Sequence, residues 1–154
     1  MTATATPSDV LRQFVQLMGE GPDEAVADLV TADAAFELPY LLPGVPPQRP
    51  GREAFVEHLR RGAVMQRFDA VDRVSVHGTS DPELAVAEYR LHGEVLATGK
   101  RFTLDMVVFA RVRGGLITWS RTYSNPLDSA VAFGAVERVL SSLTGNAEAR
   151  QPPA

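Results

Sequence analysis

Two patterns of apolar and polar residues divide the chain. Before Arg67 the apolar positions recur every three or four residues, as on one face of an α-helix, and after it they recur at every second position, as in a β-strand. The first part predicts helices over 8–18, from Pro22 and over 52–62, with a strand at 34–40. The second part predicts strands at 68–77, 83–93, 101–112 and 116–124, then a helix ending at Gly145. This order of elements is typical of an α+β fold in which helices cover one face of a curved antiparallel sheet.

The stretch from Gly99 to Pro126 is the most informative. It predicts two long strands joined by a tight turn at Gly114-Gly115, because glycine readily adopts the positive φ of such turns. Around Asp105 both faces of the first strand are apolar, so this carboxylate is expected to be shielded from water. A single acid in such a strand is a candidate for chemistry.

Composition narrows the function classes. The chain has 154 residues, a net charge of −4 and no cysteine, which excludes disulfides, thiol nucleophiles and Cys-based metal sites. No stripe of Lys and Arg indicates a nucleic-acid partner, and no apolar run approaches the ~20 residues of a membrane span. We therefore expect one domain over 1–145, a disordered tail over 146–154, and a cytoplasmic protein without nucleic-acid or membrane partners.

Three phrases carry a resemblance to a known superfamily: AFELPY followed by PGREAFVEHL, DPELAVAEYRLHG, and GGLITWSRTYSNPL. In their order and spacing they resemble the nuclear transport factor 2-like superfamily, which includes ketosteroid isomerases, SnoaL-type polyketide cyclases and phenazine-biosynthesis A/B-type proteins. The resemblance implies a cone-shaped (cystatin-like) roll, a pocket for a small apolar ligand, and frequent dimers. It implies no cofactor.

The same resemblance shows where expected acids are missing. Ketosteroid isomerases carry a base just before the first-strand proline, and that position is Leu38 here. Epoxide hydrolases and phenazine proteins carry a carboxylate where this chain has Thr122. The sequence around Asp105 resembles the strand that holds the second acid of ketosteroid isomerases, so Asp105 is the remaining candidate.

Strand alternation then predicts a site. If Asp105 faces the pocket, we expect Arg90 and His92 on the preceding strand to orient it as the acid or base. The expected ligand-contacting residues are Phe14, Met18, Phe36, Leu38, Tyr40, Phe55, Leu59, Glu88, Val107, Phe109, Ser120 and Thr122. On this assignment the apolar positions from Phe102 to Ala110 point outward and form a sheet-to-sheet homodimer interface.

Structural explanations remain open for each candidate. Asp105 could be a purely structural partner of Arg90 or Arg101, and His92 a strand-end residue. His58 and His77 are expected at the surface, and the spacing of the histidines predicts no metal site. Three functions therefore stand: acid/base isomerisation, cyclisation or hydrolysis of an apolar polyketide-like or aromatic substrate; binding without catalysis; and dimerisation by a domain with a filled cone.

Overall fold

The computed structural model describes residues 4–21, 24–42 and 44–149. Its elements are α1 (Pro7–Gly19), α2 (Glu24–Ala27), β1 (Val30–Glu37), α3 (Arg52–Ala63), β2 (Gln66–Gly78), β3 (Leu84–Val95), β4 (Lys100–Arg113), β5 (Leu116–Ser124), α4 (Pro126–Ala132) and α5 (Val136–Ala149). The strands form one curved sheet in the order β1-β5-β4-β3-β2. The predicted α+β class is confirmed, although β1 pairs with β5 in parallel rather than antiparallel fashion.

Helix α1 provides much of the core. Its first turn is held by a capping box, in which the Thr6 hydroxyl accepts from the Asp9 amide (3.2 Å) and the Asp9 carboxylate accepts from the Thr6 amide (3.0 Å). Leu11 and Val15 are fully buried on the helix face that packs against β2, β3 and β4. The amphipathic pattern of the sequence therefore places α1 across the concave face of the sheet.

A β-bulge in β5 decides which side chains face α1. Next to the turn, Val112 lies opposite Ile117, but Arg111 lies opposite Trp119, so Thr118 is an extra residue. The Thr118 hydroxyl donates to the carbonyl oxygen of Arg111 (3.3 Å). Because strand side chains alternate, one extra residue exchanges the faces of everything beyond it.

The bulge explains a wrong prediction. An uninterrupted hairpin would have paired Ser120 with Phe109, whereas the structure pairs Ser120 with Ala110 and Thr122 with Val108. The concave face of β4 thus carries its even-numbered residues, Phe102 to Val112, and the concave face of β3 carries Ala85, Ala87, Tyr89 and Leu91. The expectation that the positions from Phe102 to Ala110 point outward as an interface is wrong, because they form the core.

Several element ends also differ from expectation. The single C-terminal helix is two helices, because the chain turns at Gly134, whose φ of +64° suits glycine. Helix α5 continues past Gly145 to Ala149, so part of the segment predicted to be a disordered tail is helical. Residues 150–154 lie outside the described residues. The predicted helix start at Pro22 also lies outside them. No helix in the described part is long and apolar enough to cross a membrane.

Candidate functional site

A cavity of about 590 Å³ lies between α1, α3 and the concave face of the sheet. Most of its wall is apolar: Phe14, Met18, Phe36, Leu38, Phe55, Leu59, Phe68, Leu91, Leu96, Leu104 and Met106. The rings of Phe36 and Phe55 stack at 4.5 Å between centroids, and Phe14 lies 6.4 Å from Phe55. A hollow of this size and lining is typical of sites for small organic molecules.

Three hydroxyl groups face the interior of the cavity. They belong to Tyr89 on β3 and to Ser120 and Thr122 on β5. Tyr89 and Ser120 are each only 5% exposed, and within the described residues none of the three side-chain hydroxyls has a hydrogen-bond partner. Burial raises the pKa of the Tyr89 phenol, so it remains a neutral hydrogen-bond donor.

Three further polar side chains belong to the cavity wall. They are His58 on α3 and Gln66 and Arg67 on β2. Partial desolvation, helped by the charge of Arg61, lowers the pKa of His58, so its imidazole is neutral at pH 7. A neutral imidazole beside an apolar hollow can accept a proton.

Glu37 is the one carboxylate that lines the cavity in the part of the chain described. Its oxygens accept hydrogen bonds from Trp119 Nε1 (2.8 Å) and Arg121 Nε (2.6 Å), and these two bonds, in that order, lower its pKa. Glu37 is therefore ionised and paired at neutral pH, which makes it a weak base. It also borders a neighbouring cleft of about 410 Å³ beneath the proline-rich loop.

The predicted catalytic group lies on the opposite side of the sheet. The Asp105 side chain is 73% exposed on the convex face, where it accepts from Arg90 Nε (2.7 Å) and Arg90 Nη2 (3.1 Å). These bonds lower the pKa of Asp105, so it is ionised rather than held protonated by an apolar site. His92 contacts Asp72 (3.1 Å) and Thr103 (3.0 Å) on that same face. The expectation that Asp105, Arg90 and His92 face the cavity is wrong, because the face of β4 was chosen incorrectly.

Four of the residues predicted to contact a ligand do not line this cavity. Glu88, Val107 and Phe109 lie on the convex face with Asp105, and none lines the cavity. Tyr40 follows the end of β1, is 62% exposed and packs edge-on against Tyr123 at 5.4 Å. The remaining eight do line the cavity, and their contact with a ligand stays a prediction: Phe14, Met18, Phe36, Leu38, Phe55, Leu59, Ser120 and Thr122.

The sequence contained a signal for the residues that were missed. From Phe102 to Val112 every even-numbered position of β4 is apolar, whereas the odd-numbered face also carries Arg101, Asp105 and Arg111. Uniform apolarity predicts the buried face, and it would have placed Tyr89 in the cavity through the β3–β4 pairing. No pattern indicated Gln48 or His58, which reach the wall from a loop and from the polar side of a helix.

Comparison with known proteins agrees with this architecture. The model of the SnoaL-like domain family matches residues 11–120, and the chain belongs to that family. An uncharacterised PhzA/B-like protein of Pseudomonas aeruginosa is 28% identical over 137 residues, covering 89% of this chain and 96% of that protein. The resemblance to the nuclear transport factor 2-like superfamily is thereby confirmed.

Solved structures show the same cone. A candidate isomerase from Bacillus subtilis superposes with a TM-score of 0.76 at 26% identity, covering 84% of this chain and 94% of that one. A candidate polyketide cyclase from Xanthomonas campestris gives a TM-score of 0.70 at 22% identity, covering 82% and 96%. No group of three or more His, Asp or Glu residues with metal-binding geometry occurs among the residues that the structure describes.

Proposed function

We propose that the protein binds a small, mainly apolar organic molecule, of the aromatic or polyketide-like class, in the cavity beneath α1 and α3. The observation that carries the proposal is the 590 Å³ hollow with its aromatic and aliphatic wall. A cone filled by its own side chains would leave no such space, which favours ligand binding over dimerisation alone. The names of the Bacillus and Xanthomonas proteins, a candidate isomerase and a candidate cyclase, also support a small-molecule role.

Filling the cavity tests binding directly. Leu59→Trp places a larger ring in the wall, and we expect it to weaken binding of the probe flavanone at least tenfold in isothermal titration calorimetry. Glu53→Trp is the matched control, because it adds the same side chain to an exposed position of the same helix away from the cavity. Native mass spectrometry of the purified protein should also show a bound small molecule that Leu59→Trp loses.

Absence of any binding to the wild type, by probe or by co-purified molecule, would contradict this function. Equal weakening by Leu59→Trp and Glu53→Trp would place the bound molecule elsewhere on the surface.

A second candidate function is acid/base conversion of the bound molecule by isomerisation, cyclisation or hydrolysis. The specific observation in its favour is that a neutral imidazole, His58, and a neutral phenol, Tyr89, line the same apolar cavity. In this scheme His58 removes a proton from carbon next to a carbonyl, and Tyr89 donates a hydrogen bond to the resulting enolate oxygen. Positioned acid/base groups typically contribute 10²–10⁴-fold in rate.

Proton transfer can be measured without knowing the natural substrate. Flavanone carries exchangeable hydrogens beside its ketone, and NMR in D₂O follows their replacement by deuterium. We expect wild-type protein to accelerate this exchange and His58→Gln to slow it about 10²-fold while flavanone affinity stays unchanged. His77→Gln is the matched control, because His77 lies on β2 next to Glu88 and does not line the cavity. No acceleration by the wild type, or equal rates in His58→Gln, would restrict the function to binding.

We also propose a homodimer through the convex face of the sheet. In this structure the convex face carries partly exposed apolar side chains, among them Val107, Phe109 and Tyr123. The rings of Phe109 and Tyr123 meet edge-on with 6.0 Å between their centroids. Such a patch favours contact with another surface. The cytoplasmic location stays a prediction.

A further inference from the structure

The three hydroxyls of the cavity wall are unpaired in the protein and yet accessible. Among the described residues, the fully buried side-chain polar atoms without a hydrogen bond are Thr31 Oγ1 and Gln48 Nε2. The hydroxyls of Tyr89, Ser120 and Thr122 are also unpaired but do not belong to that pair of atoms, so each retains accessible surface. Tyr89 and Ser120 are almost fully buried otherwise, so the surface that their hydroxyls retain lies in the cavity they line.

Side chains on the neighbouring strands cannot supply a partner for these hydroxyls. Tyr89 on β3 and the two hydroxyl residues of β5 lie on either side of β4, which contributes apolar side chains to the concave face between them. The residue of β1 opposite Ser120 is apolar as well. The paired positions are Met106 with Tyr89, Val108 with Thr122, and Ala110 and Phe36 with Ser120. A molecule inside the cavity is therefore what can pair with the hydroxyls.

This arrangement distinguishes between ligands that differ in one oxygen atom. A ligand that covers the hydroxyls of Ser120 and Thr122 with hydrocarbon removes their water and leaves them unpaired, which is unfavourable. A ligand with an oxygen at that place replaces the lost hydrogen bonds. Sites lined with polar groups discriminate in this way against analogues that lack the matching group.

The charged side chains of the wall restrict the matching group to a neutral one. Glu37 is paired with Arg121 (Oε2 to Nη2, 2.6 Å), and Arg67 is paired with Glu94 (Nη2 to Oε2, 3.0 Å). A carboxylate on the ligand would lose its hydration in the apolar cavity without gaining an unpaired cation. A carbonyl oxygen avoids that cost and accepts hydrogen bonds from hydroxyl donors.

We propose that Ser120 and Thr122 are specificity-determining residues that, beside Tyr89, select ligands with a neutral carbonyl oxygen and reject otherwise identical molecules without it. The inference rests on the proposed function, because it assigns polar contacts inside the same cavity. It adds two residues of β5 to the contact that Tyr89 offers, and it defines the ligand as an apolar body that bears an uncharged carbonyl group.

Two probes that differ in a single group test this inference. Flavanone and flavan share one skeleton, and only flavanone has the ketone. Calorimetry gives the ratio of the flavan Kd to the flavanone Kd, which should be well above one in the wild type. We expect Ser120→Ala/Thr122→Val, which removes both hydroxyls and nearly keeps the shape of the wall, to lower this ratio about tenfold. Ser75→Ala/Thr103→Val is the matched control, because it makes the same two changes on β2 and β4 outside the cavity and should leave the ratio unchanged.

Thermal unfolding without a ligand separates recognition from a structural role. Because the hydroxyls of Ser120 and Thr122 have no partner in the protein, the double variant should unfold at the same temperature as wild type or at a higher one. A structural role would lower the unfolding temperature. Thr122→Val alone is the milder change, which keeps the test available if the double variant does not fold, and it should lower the ratio about threefold.

The outcomes distinguish this inference from the function on which it rests. If neither probe binds the wild type, the cavity function fails and the inference fails with it. If both probes bind with a ratio near one, or with the same ratio in wild type and in the hydroxyl-free variants, the cavity function stands and the role of Ser120 and Thr122 is overturned. An equal fall of the ratio in Ser75→Ala/Thr103→Val would also overturn it, because the effect would then not belong to the cavity hydroxyls.

Discussion

The two faces of β3 and β4 have opposite chemistry although they alternate residue by residue. On the concave face Leu91 and Val108 are each 1% exposed, and the side chains enclose a ligand-sized hollow. On the convex face, ion pairs cross from strand to strand, including Arg90 with Asp105 and Arg101 with Asp69. Most charged side chains of these two strands therefore lie on the solvent side, whereas the cavity wall is mainly apolar, with Glu37 and Arg67 as its charged members.

This comparison shows why a carboxylate within an apolar strand sequence is a weak indicator of catalysis. Asp105 has apolar sequence neighbours, but strand alternation directs those neighbours into the core and Asp105 outward. Exposed ion pairs of this kind contribute little stability, because water and salt screen them. The candidates for a functional role are instead cavity residues with unpaired polar atoms, such as Tyr89 and Ser120.

Deleting Thr118 should have the largest effect on the difference between the faces. Removal of the bulge would turn Ser120 and Thr122 outward and direct Trp119 and Arg121 into the core, where a charge is not tolerated. We expect the loss of most of the native stability, which for a domain of this kind is about 5–15 kcal/mol, measured as loss of a cooperative urea transition.

The matched control is Thr118→Ala, which keeps the extra residue and removes only the hydrogen bond to Arg111. We expect it to cost about 1 kcal/mol. A deletion variant with the stability of Thr118→Ala would mean that the bulge does not decide which face is buried.

The same bulge marks the boundary between what sequence could and could not predict. Helix periodicity located α1 and α3, the Thr6–Asp9 cap was visible as a motif, and the Gly114-Gly115 turn set the position of the hairpin. These features depend on local residues. The faces of β5 relative to β4 depended on a single extra residue, Thr118, which no bulge signal in the sequence indicated.

The lining of the cavity could likewise be predicted only in part from the sequence. The apolar positions of α1 and α3 were expected to line it and do so, because their faces follow from helix periodicity. The β5 hydroxyls of Ser120 and Thr122 also line it, although they were expected there together with Asp105, which lies on the opposite face. Gln48 and His58 were not, because a proline-rich loop and the polar edge of a helix approach the cavity only through tertiary packing. Long-range packing leaves no periodic trace in the sequence.

Phe109→Arg would sharpen the assignment of the convex face as a dimer interface. A charged side chain in the apolar patch should shift the protein from dimer to monomer at about 10 µM, because an uncompensated charge is costly to bury between subunits. Light scattering after gel filtration measures the mass. Leu140→Arg, at a 57% exposed position of α5, is the control and should remain dimeric. A wild type that is monomeric, or a Phe109→Arg variant that is still dimeric, would contradict an interface at this patch.

Asp105→Asn should have the smallest effect, and for that reason it tests the comparison most sharply. Because Arg90 lowers the pKa of Asp105 in the folded state, the ionised carboxylate favours folding above its unfolded value near 3.8. That contribution is lost as pH falls through the lower folded pKa. Wild type and Asp105→Asn should therefore differ slightly in urea midpoint at pH 7 and converge as the pH falls well below 3.8. The difference at pH 7 should also shrink in 0.5 M salt, since the pair is exposed.

Flavanone affinity and the deuterium-exchange rate should equal those of wild type, because the carboxylate lies across the sheet from the cavity. A large loss of flavanone affinity or of the exchange rate would indicate that the functional site lies on the convex face and not in the cavity.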